Sequence, residues 1–314
     1  MELNLKDLKI LRILDQNVRA SYKQIGKKTR LNKEVVQYRI KKLEEEQIIK
    51  GYWTLINFGF GFVYKILIKN KNLAKEKKQE FIEYVKNQKM VSWFASTEGN
   101  FDFIMTIYAK NDHELVTFSN DIFQKYGKYF QEKHLLKSIS VNITNDKYLY
   151  PNNKFIYNYK ISLLSGKIPK NKIDEEILTS LSLNARSSFT EIGKKVNLTP
   201  EAVAYRIKKI KEEGFITGFK TRLNFEKIGL SYYHLFISLQ NQESKKTILS
   251  YYKLYSHCNS TMEHLGYYDL HLEFILPNEK IQETIDDFML KFGDSVTSYE
   301  LIRIREEHLI NILR

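Results

Sequence analysis

The chain has 314 residues, 43% hydrophobic and 28% charged, which excludes a disordered chain and leaves room for two to four small domains. With 50 Lys and Arg against 37 Asp and Glu the formal net charge is +13, so polyanionic partners are favoured, nucleic acid first and an anionic membrane surface second. A single cysteine, Cys258, excludes an intrachain disulfide and suits a reducing cytosol.

In chain order, MELNLKDLKI is too charged for a signal peptide, and KDLKILRILDQ (6–16) predicts a helix with Leu8, Leu11 and Leu14 on one face. Asn17 ends it. Ser21 caps a short second helix, YKQIGKKT, and RLN turns the chain into a third, KEVVQYRIKKLEEE. Asn32 is its expected N-cap, and Val36, Ile40 and Leu43 lie on one face. Three short helices with a three-residue turn before the last make a helix-turn-helix pattern. IIKGYWTLINF follows and fits a small wing hairpin or strand around Gly51. TLINFGFGFVY (54–64) is too short to span a bilayer. The next segment reads β-α-β-β-α-β, with strands FVYKILIK (62–69), VSWFASTE (91–98), FDFIMTIYA (101–109) and LLKSISVNI (135–143). KEKKQEFIEYVKN and DHELVTFSNDIFQKYG supply the helices. This ferredoxin-like order leaves one sheet face to be covered.

Residues 151–172, with two of the four prolines and Gly166, read as a linker, although FIYNYKISLL inside it suits a short strand. Beyond it the scheme recurs at an offset of 167. IGKKTRLNKEVVQYRIKKLEEEQIIKG (25–51) aligns without a gap on IGKKVNLTPEAVAYRIKKIKEEGFITG (192–218), with 16 of 27 positions identical. Thr199 and Pro200 start the equivalent third helix, with Val203, Ile207 and Ile210 inward. The second set of strands is SYYHLFISL (231–239), NSTMEHLG, YDLHLEFIL (268–276) and SVTSYELIRIR (295–305), with helices SKKTILSYYKLYS and NEKIQETIDDFML.

With those motifs in place, the chain resembles the Lrp/AsnC family of transcriptional regulators, twice over and along nearly its whole length. The N-x-R-x-S step and the YRIKKLEEEQIIKGY-type helix and exit look like the family's winged helix-turn-helix. The G-x-aromatic-D loops, Gly99–Asp102 and Gly266–Asp269, look like those of its ligand-sensing βαββαβ domain. The resemblance implies an α+β chain of two winged helix-turn-helix domains (1–58 and 173–226) and two ferredoxin-like domains (59–150 and 227–314), joined by the linker 151–172. Family members dimerise by packing two such sheets face to face. A chain carrying both modules is therefore expected to form an intrachain pseudo-dimer, itself open to further assembly. The sequence departs from the pattern before the leucine of the helix-turn-helix turn, where Arg30 and Asn197 replace the usual glycine. Arg tolerates a left-handed backbone less readily than Asn, so a strained or altered turn is expected in the first copy. Gly26 and Gly193 in the second helices are expected to permit a close crossing.

The exposed residues of the third helices and their surroundings are the candidate DNA contacts: Lys27, Lys28, Asn32, Lys33, Gln37, Tyr38, Arg39, Lys41 and Lys42 in one copy, and Lys194, Lys195, Thr199, Ala204, Tyr205, Arg206, Lys208 and Lys209 in the other. Gln37 suits adenine, whereas Ala204 offers only an apolar contact. Lys41, Lys42, Lys208 and Lys209 each precede a glutamate by four residues, so solvated intrahelical ion pairs are the competing reading. Gly99, Asp102, Gly266 and Asp269 are candidate ligand-binding positions. The seven histidines show no metal-ligand spacing and are expected to be surface or partly buried residues, so neither a metal nor a cofactor is predicted. The function expected is a cytoplasmic, non-catalytic regulator that binds double-stranded DNA and responds to an amino acid or other small molecule, with no membrane partner. Two alternatives stand beside it: a siroheme decarboxylase-like enzyme on the same architecture, and an architectural DNA binder with degenerate sensor domains.

Overall fold

A computed structural model describes residues 3–57, 61–71, 73–154, 156–163 and 171–310. The first helix-turn-helix consists of α1 (Leu5–Gln16), α2 (Tyr22–Thr29) and α3 (Lys33–Glu45), followed by β1 (Ile49–Ile56). Of the predicted apolar faces, Leu11, Leu14, Val36, Ile40 and Leu43 are buried in its core; Leu8 is only partly buried and Ile10 takes the inner place. Leu149, Tyr150, Ala185 and Leu223 complete it from distant parts of the chain. The first ferredoxin-like half follows as β2 (Phe62–Asn70), α4 (Lys75–Lys86), β3 (Val91–Glu98), β4 (Phe103–Ala109), α5 (Asp112–Tyr126) and β5 (Phe130–Thr144). The short strand expected within the linker is β6 (Asn158–Ser162), which pairs with β5. The stretch 164–170, with the linker's Gly166 and Pro169, lies outside the described residues, as do residues 58–60 of the FGFGF run.

The second helix-turn-helix is α6 (Lys172–Leu183), α7 (Phe189–Val196) and α8 (Pro200–Glu212), followed by β7 (Ile216–Leu223). The second half comprises β8 (Ser231–Leu239), α9 (Glu243–Leu254), β9 (Cys258–Leu265), β10 (Leu270–Leu276), α10 (Ile281–Phe292) and β11 (Val296–Ile310).

The segments after the third helices do not form the hairpin wing that was one sequence expectation. Instead, β1 and β7 pair with each other, antiparallel, as a two-stranded ribbon. Each strand thus finds its hydrogen-bonding edge in the other copy rather than in its own chain neighbour.

The remaining strands form one sheet in the order β2-β4-β3-β11-β8-β10-β9-β5-β6, and β5 also pairs with β2, closing the circuit. Both 15-residue strands belong to two neighbours in succession. β5 pairs along residues 130–137 with β2 and along 137–143 with β9, while β11 pairs along 296–303 with β8 and along 303–310 with β3. Helices α4 and α5 cover one outer face through Phe81, Ile82, Val85, Phe118 and Ile122, and α9 and α10 cover the other through Ile248, Tyr252, Ile285 and Phe288. Alternation along the strands sends the opposite side chains inward, where Leu67, Ile104, Leu136, Phe236, Ile302 and Ile304 of both halves meet. That shared interior covers the face each half would otherwise expose to water.

Candidate nucleic-acid interface and the cavity behind it

Local sequence fixes each reading head. Ser21 with Gln24 and Ser188 with Glu191 form capping boxes at the starts of α2 and α7. Both helices end on a left-handed residue, Arg30 (φ 59°) and Asn197 (φ 55°). The first copy's turn is therefore not altered; Arg30 adopts the geometry of Asn197. Gly26 and Gly193 are required by a close approach: a Cβ there would lie 2.5 Å from the Leu31 carbonyl oxygen or 2.4 Å from that of Leu198. Asn32 stands at the N-cap of α3 without a side-chain capping bond, whereas Thr199 accepts from the Ala202 amide at 3.3 Å.

The outward faces of α3 and α8 carry Lys33, Gln37, Tyr38, Lys41 and Lys42, and Tyr205, Lys208 and Lys209, with Ala204 half-buried. Tyr38 and Tyr205 are 66% and 67% exposed, unusual for large aromatic rings and matched between copies. Lys27, Lys28, Lys194 and Lys195 are also exposed, at the ends of α2 and α7. Two candidates turn away from this surface. Arg39 is bonded to Asp7 and Arg206 to Asp174, each at 2.9 Å, tying the third helix to the first. The ion-pair reading of the lysines also holds in part, with Lys41–Glu45 at 3.4 Å, Lys42–Glu46 at 3.8 Å and Lys208–Glu212 at 3.8 Å. These pairs are exposed and so leave their lysines free to exchange partners.

The two heads clasp each other reciprocally. The Arg19 guanidinium donates to the carbonyls of Ala185 and Ser187, and that of Arg186 donates to those of Val18 and Ala20. Below them a buried polar knot joins head to barrel. Lys220 of β7 donates to Asp15 of α1 at 3.2 Å, to Asp146 after β5, and to the Thr144 carbonyl. Tyr150 and Tyr157 each donate to Asp15 at 2.8 Å. Burial opposes charge on Lys220, but the two carboxylates more than offset this and raise its pKa above the ordinary lysine value.

The G-x-x-D loops are built as braces. Asp102 accepts from the Asn70 amide at 2.7 Å and Asp269 from the Leu239 amide at 2.8 Å, each linking its hairpin to the first strand of its own half. Gly99 (φ 126°) and Gly266 (φ 145°) lie against the carbonyls of Leu301 and Leu135, where a Cβ would approach to 2.8 and 3.0 Å. The four residues thus sit where the barrel's long strands cross between halves.

A cavity of about 250 Å³ lies between the β1–β7 ribbon and the barrel interior. Its walls are largely apolar, from Trp53, Leu55, Val141, Ile161, Met262 and Phe225, with Lys65, Arg222, His234, Glu273 and Glu307 among them. Arg222 and Lys50 pair with Glu307 at 3.9 and 3.5 Å, and Trp93 donates to it at 2.9 Å. Burial pulls Lys65 below the ordinary lysine range, with Glu273 opposing the shift. No contiguous motif marks this cluster in the sequence. The Arg19–Arg186 clasp has one signal, the shared N-x-R-x-S step.

A winged helix-turn-helix DNA-binding family model matches residues 3–50 and 170–217, one in each head. HTH-type transcriptional regulator LrpA of Pyrococcus horikoshii is 45% identical over 58 residues, 18% of this chain and 41% of that protein. The chain thus spans about two fifths of the length of this curated relative. HTH-type transcriptional regulator FL11 of Pyrococcus abyssi is 30% identical over 115 residues, 36% of this chain and 74% of its own. The crystal structure of the siroheme decarboxylase NirDL superposes with a TM-score of 0.63 at 14% identity, covering 99% of this chain and 93% of that one, a likeness of fold. Heads and barrel together define a duplicated winged helix-turn-helix protein. The chain belongs to the Lrp/AsnC family of regulators, as a tandem duplication of the family module.

Proposed function

We propose that the chain is a sequence-specific, double-stranded-DNA-binding transcriptional regulator that acts in the cytoplasm, without catalysis, with a small molecule as effector. The observation that carries this reading is the pairing of the two heads. The reciprocal arginine clasp and the antiparallel β1–β7 ribbon relate them by a local pseudo-twofold axis, each with an outward third helix and an exposed tyrosine. Two heads so related suit two half-sites on one face of a duplex, about 34 Å apart. The boundaries 1–58, 59–150, 151–172, 173–226 and 227–314 are our proposed domain limits. No helix among the described residues is long and apolar enough to cross a membrane.

The heads differ where base edges are read, Lys33 and Gln37 against Pro200 and Ala204. An imperfect palindrome is therefore expected. Selection from a pool of random duplexes tests it. Enrichment of two unlike half-sites supports the reading; recovery of strict palindromes alone, or of no preferred sequence, sinks it. The full-length fold likeness favours a tetrapyrrole enzyme as a second reading, whereas the paired outward helices with their exposed tyrosines favour DNA. A shifted Soret band on incubation with siroheme would reverse that preference.

A further inference from the structure

We propose that His234, His271 and Glu273 form a binding site for one divalent transition-metal ion of the zinc, ferrous or cobaltous class, at the barrel wall of the cavity. Glu273 on β10 lies directly across from His234 on β8, and His271 precedes Glu273 by two residues, so all three side chains point inward from one face. His234 Nε2 and His271 Nε2 each lie 3.8 Å from Glu273 Oε1, and one ligand atom from each residue falls within 4.8 Å of the others. A point equidistant from three atoms so spaced lies about 2.0–2.5 Å from each, close to the bond lengths of zinc to imidazole nitrogen and carboxylate oxygen.

Three further observations point the same way. His234 and His271 are 1% and 0% exposed, yet none of their four ring nitrogens has a hydrogen-bond partner among the described residues. Buried polar atoms in folded proteins are rarely left so. Tyr232 donates to Glu273 Oε2 at 2.8 Å, which orients the carboxylate and leaves Oε1 for the ion. Finally, packing alone does not require these residues. The equivalent positions of the first copy, 167 earlier, are Leu67, Ile104 and Thr106, and the two apolar ones are equally buried. Two histidines and one carboxylate leave coordination positions open, and because His234 and Glu273 line the cavity, those positions open into it. Lys65 lines the same cavity as His234 and Glu273.

The test uses the full chain, stripped with a chelator, desalted and titrated with cobalt(II) chloride in the absence of DNA, so that its outcome is separate from DNA binding. The chain's two tryptophans, Trp53 and Trp93, both line the cavity, and Trp93 stacks on His234 with ring centroids 5.6 Å apart. Binding of one cobalt per chain is expected, with visible d–d absorption, quenching of tryptophan fluorescence, and displacement by zinc. His271→Gln and Glu273→Gln are expected to weaken binding about tenfold or more, and His134→Gln to leave it unchanged. If either variant fails to fold, the wild-type stoichiometry and spectrum decide alone. Absence of stoichiometric binding by the wild type, or binding that survives in folded His271→Gln and Glu273→Gln, overturns the proposal.

Discussion

Trp53 and Lys220 face each other across the β1–β7 ribbon, and they are the same position of the two copies, 167 residues apart. The pseudo-twofold axis therefore runs through this pair, with Tyr52 opposite Thr221 and Thr54 opposite Phe219 on either side. The axis position carries opposite chemistries: an indole lining the cavity on one strand, and a buried ammonium holding Asp15 and Asp146 on the other. Removal of that ammonium leaves two carboxylates buried without a counter-charge. Lys220→Met is expected to destabilise the chain by about 3–5 kcal/mol, whereas Trp53→Phe costs about 1 kcal/mol. Urea unfolding monitored by circular dichroism checks the difference, and equal losses would show that the knot is not what holds the ribbon down.

The turn of the first head gives a test in the opposite direction. Arg30 occupies the left-handed region that glycine adopts without strain. Arg30→Gly should stabilise by about 1 kcal/mol and Asn197→Gly by less, since asparagine tolerates this backbone. Gly26→Ala, which drives a Cβ against the Leu31 carbonyl, should cost about 2 kcal/mol or more. Thermal unfolding of the three variants ranks them.

On DNA, Gln37 and Lys27 should separate by role. Gln37→Ala is expected to relax preference at one base position of one half-site. Lys27→Ala should weaken binding to all sequences and lower the salt slope by about one. Binding measured at several salt concentrations on matched and mismatched duplexes distinguishes them; loss of base preference in both would merge the roles.

Lys147 provides a pH signature. Its ammonium is buried and donates to the carbonyls of Lys253, Tyr255 and Cys258, at 3.0, 2.5 and 2.7 Å. Burial, reinforced by the charge of Lys220, lowers its pKa from 10.5 to about 8. Between these values the unfolded chain binds more protons than the folded one, so stability rises with pH across that window. Relative to Lys147→Met, the wild type should gain about 3 kcal/mol from pH 7 to pH 11. A flat difference between the two unfolding curves would show that Lys147 does not titrate in this range.

The periodicities of the sequence located most helices and strands because Val36, Ile40 and Leu43, or Ile66 and Ile68, are packed by their own local pattern. The identity of the ribbon's partner was not legible, since nothing in IIKGYWTLINF says whether its edge is met by a hairpin or by a copy 167 residues away. Nothing in the periodicity of α3 reveals the crossing of α1, which brings Asp7 within 2.9 Å of Arg39. The His234–His271–Glu273 cluster was present in the sequence as a break in the repeat. Comparing each histidine with its equivalent, Leu67 or Ile104, exposes it; a search for contiguous metal motifs does not.

β5 and β11 each begin in one half of the barrel and end in the other. Two separate subunits with such a barrel would fall apart on dilution, and their DNA occupancy would vary with the square of their concentration. Here the partner is tethered by the backbone. Under the proposed function, occupancy of an operator should rise linearly with the number of chains, because one backbone supplies both halves of the barrel.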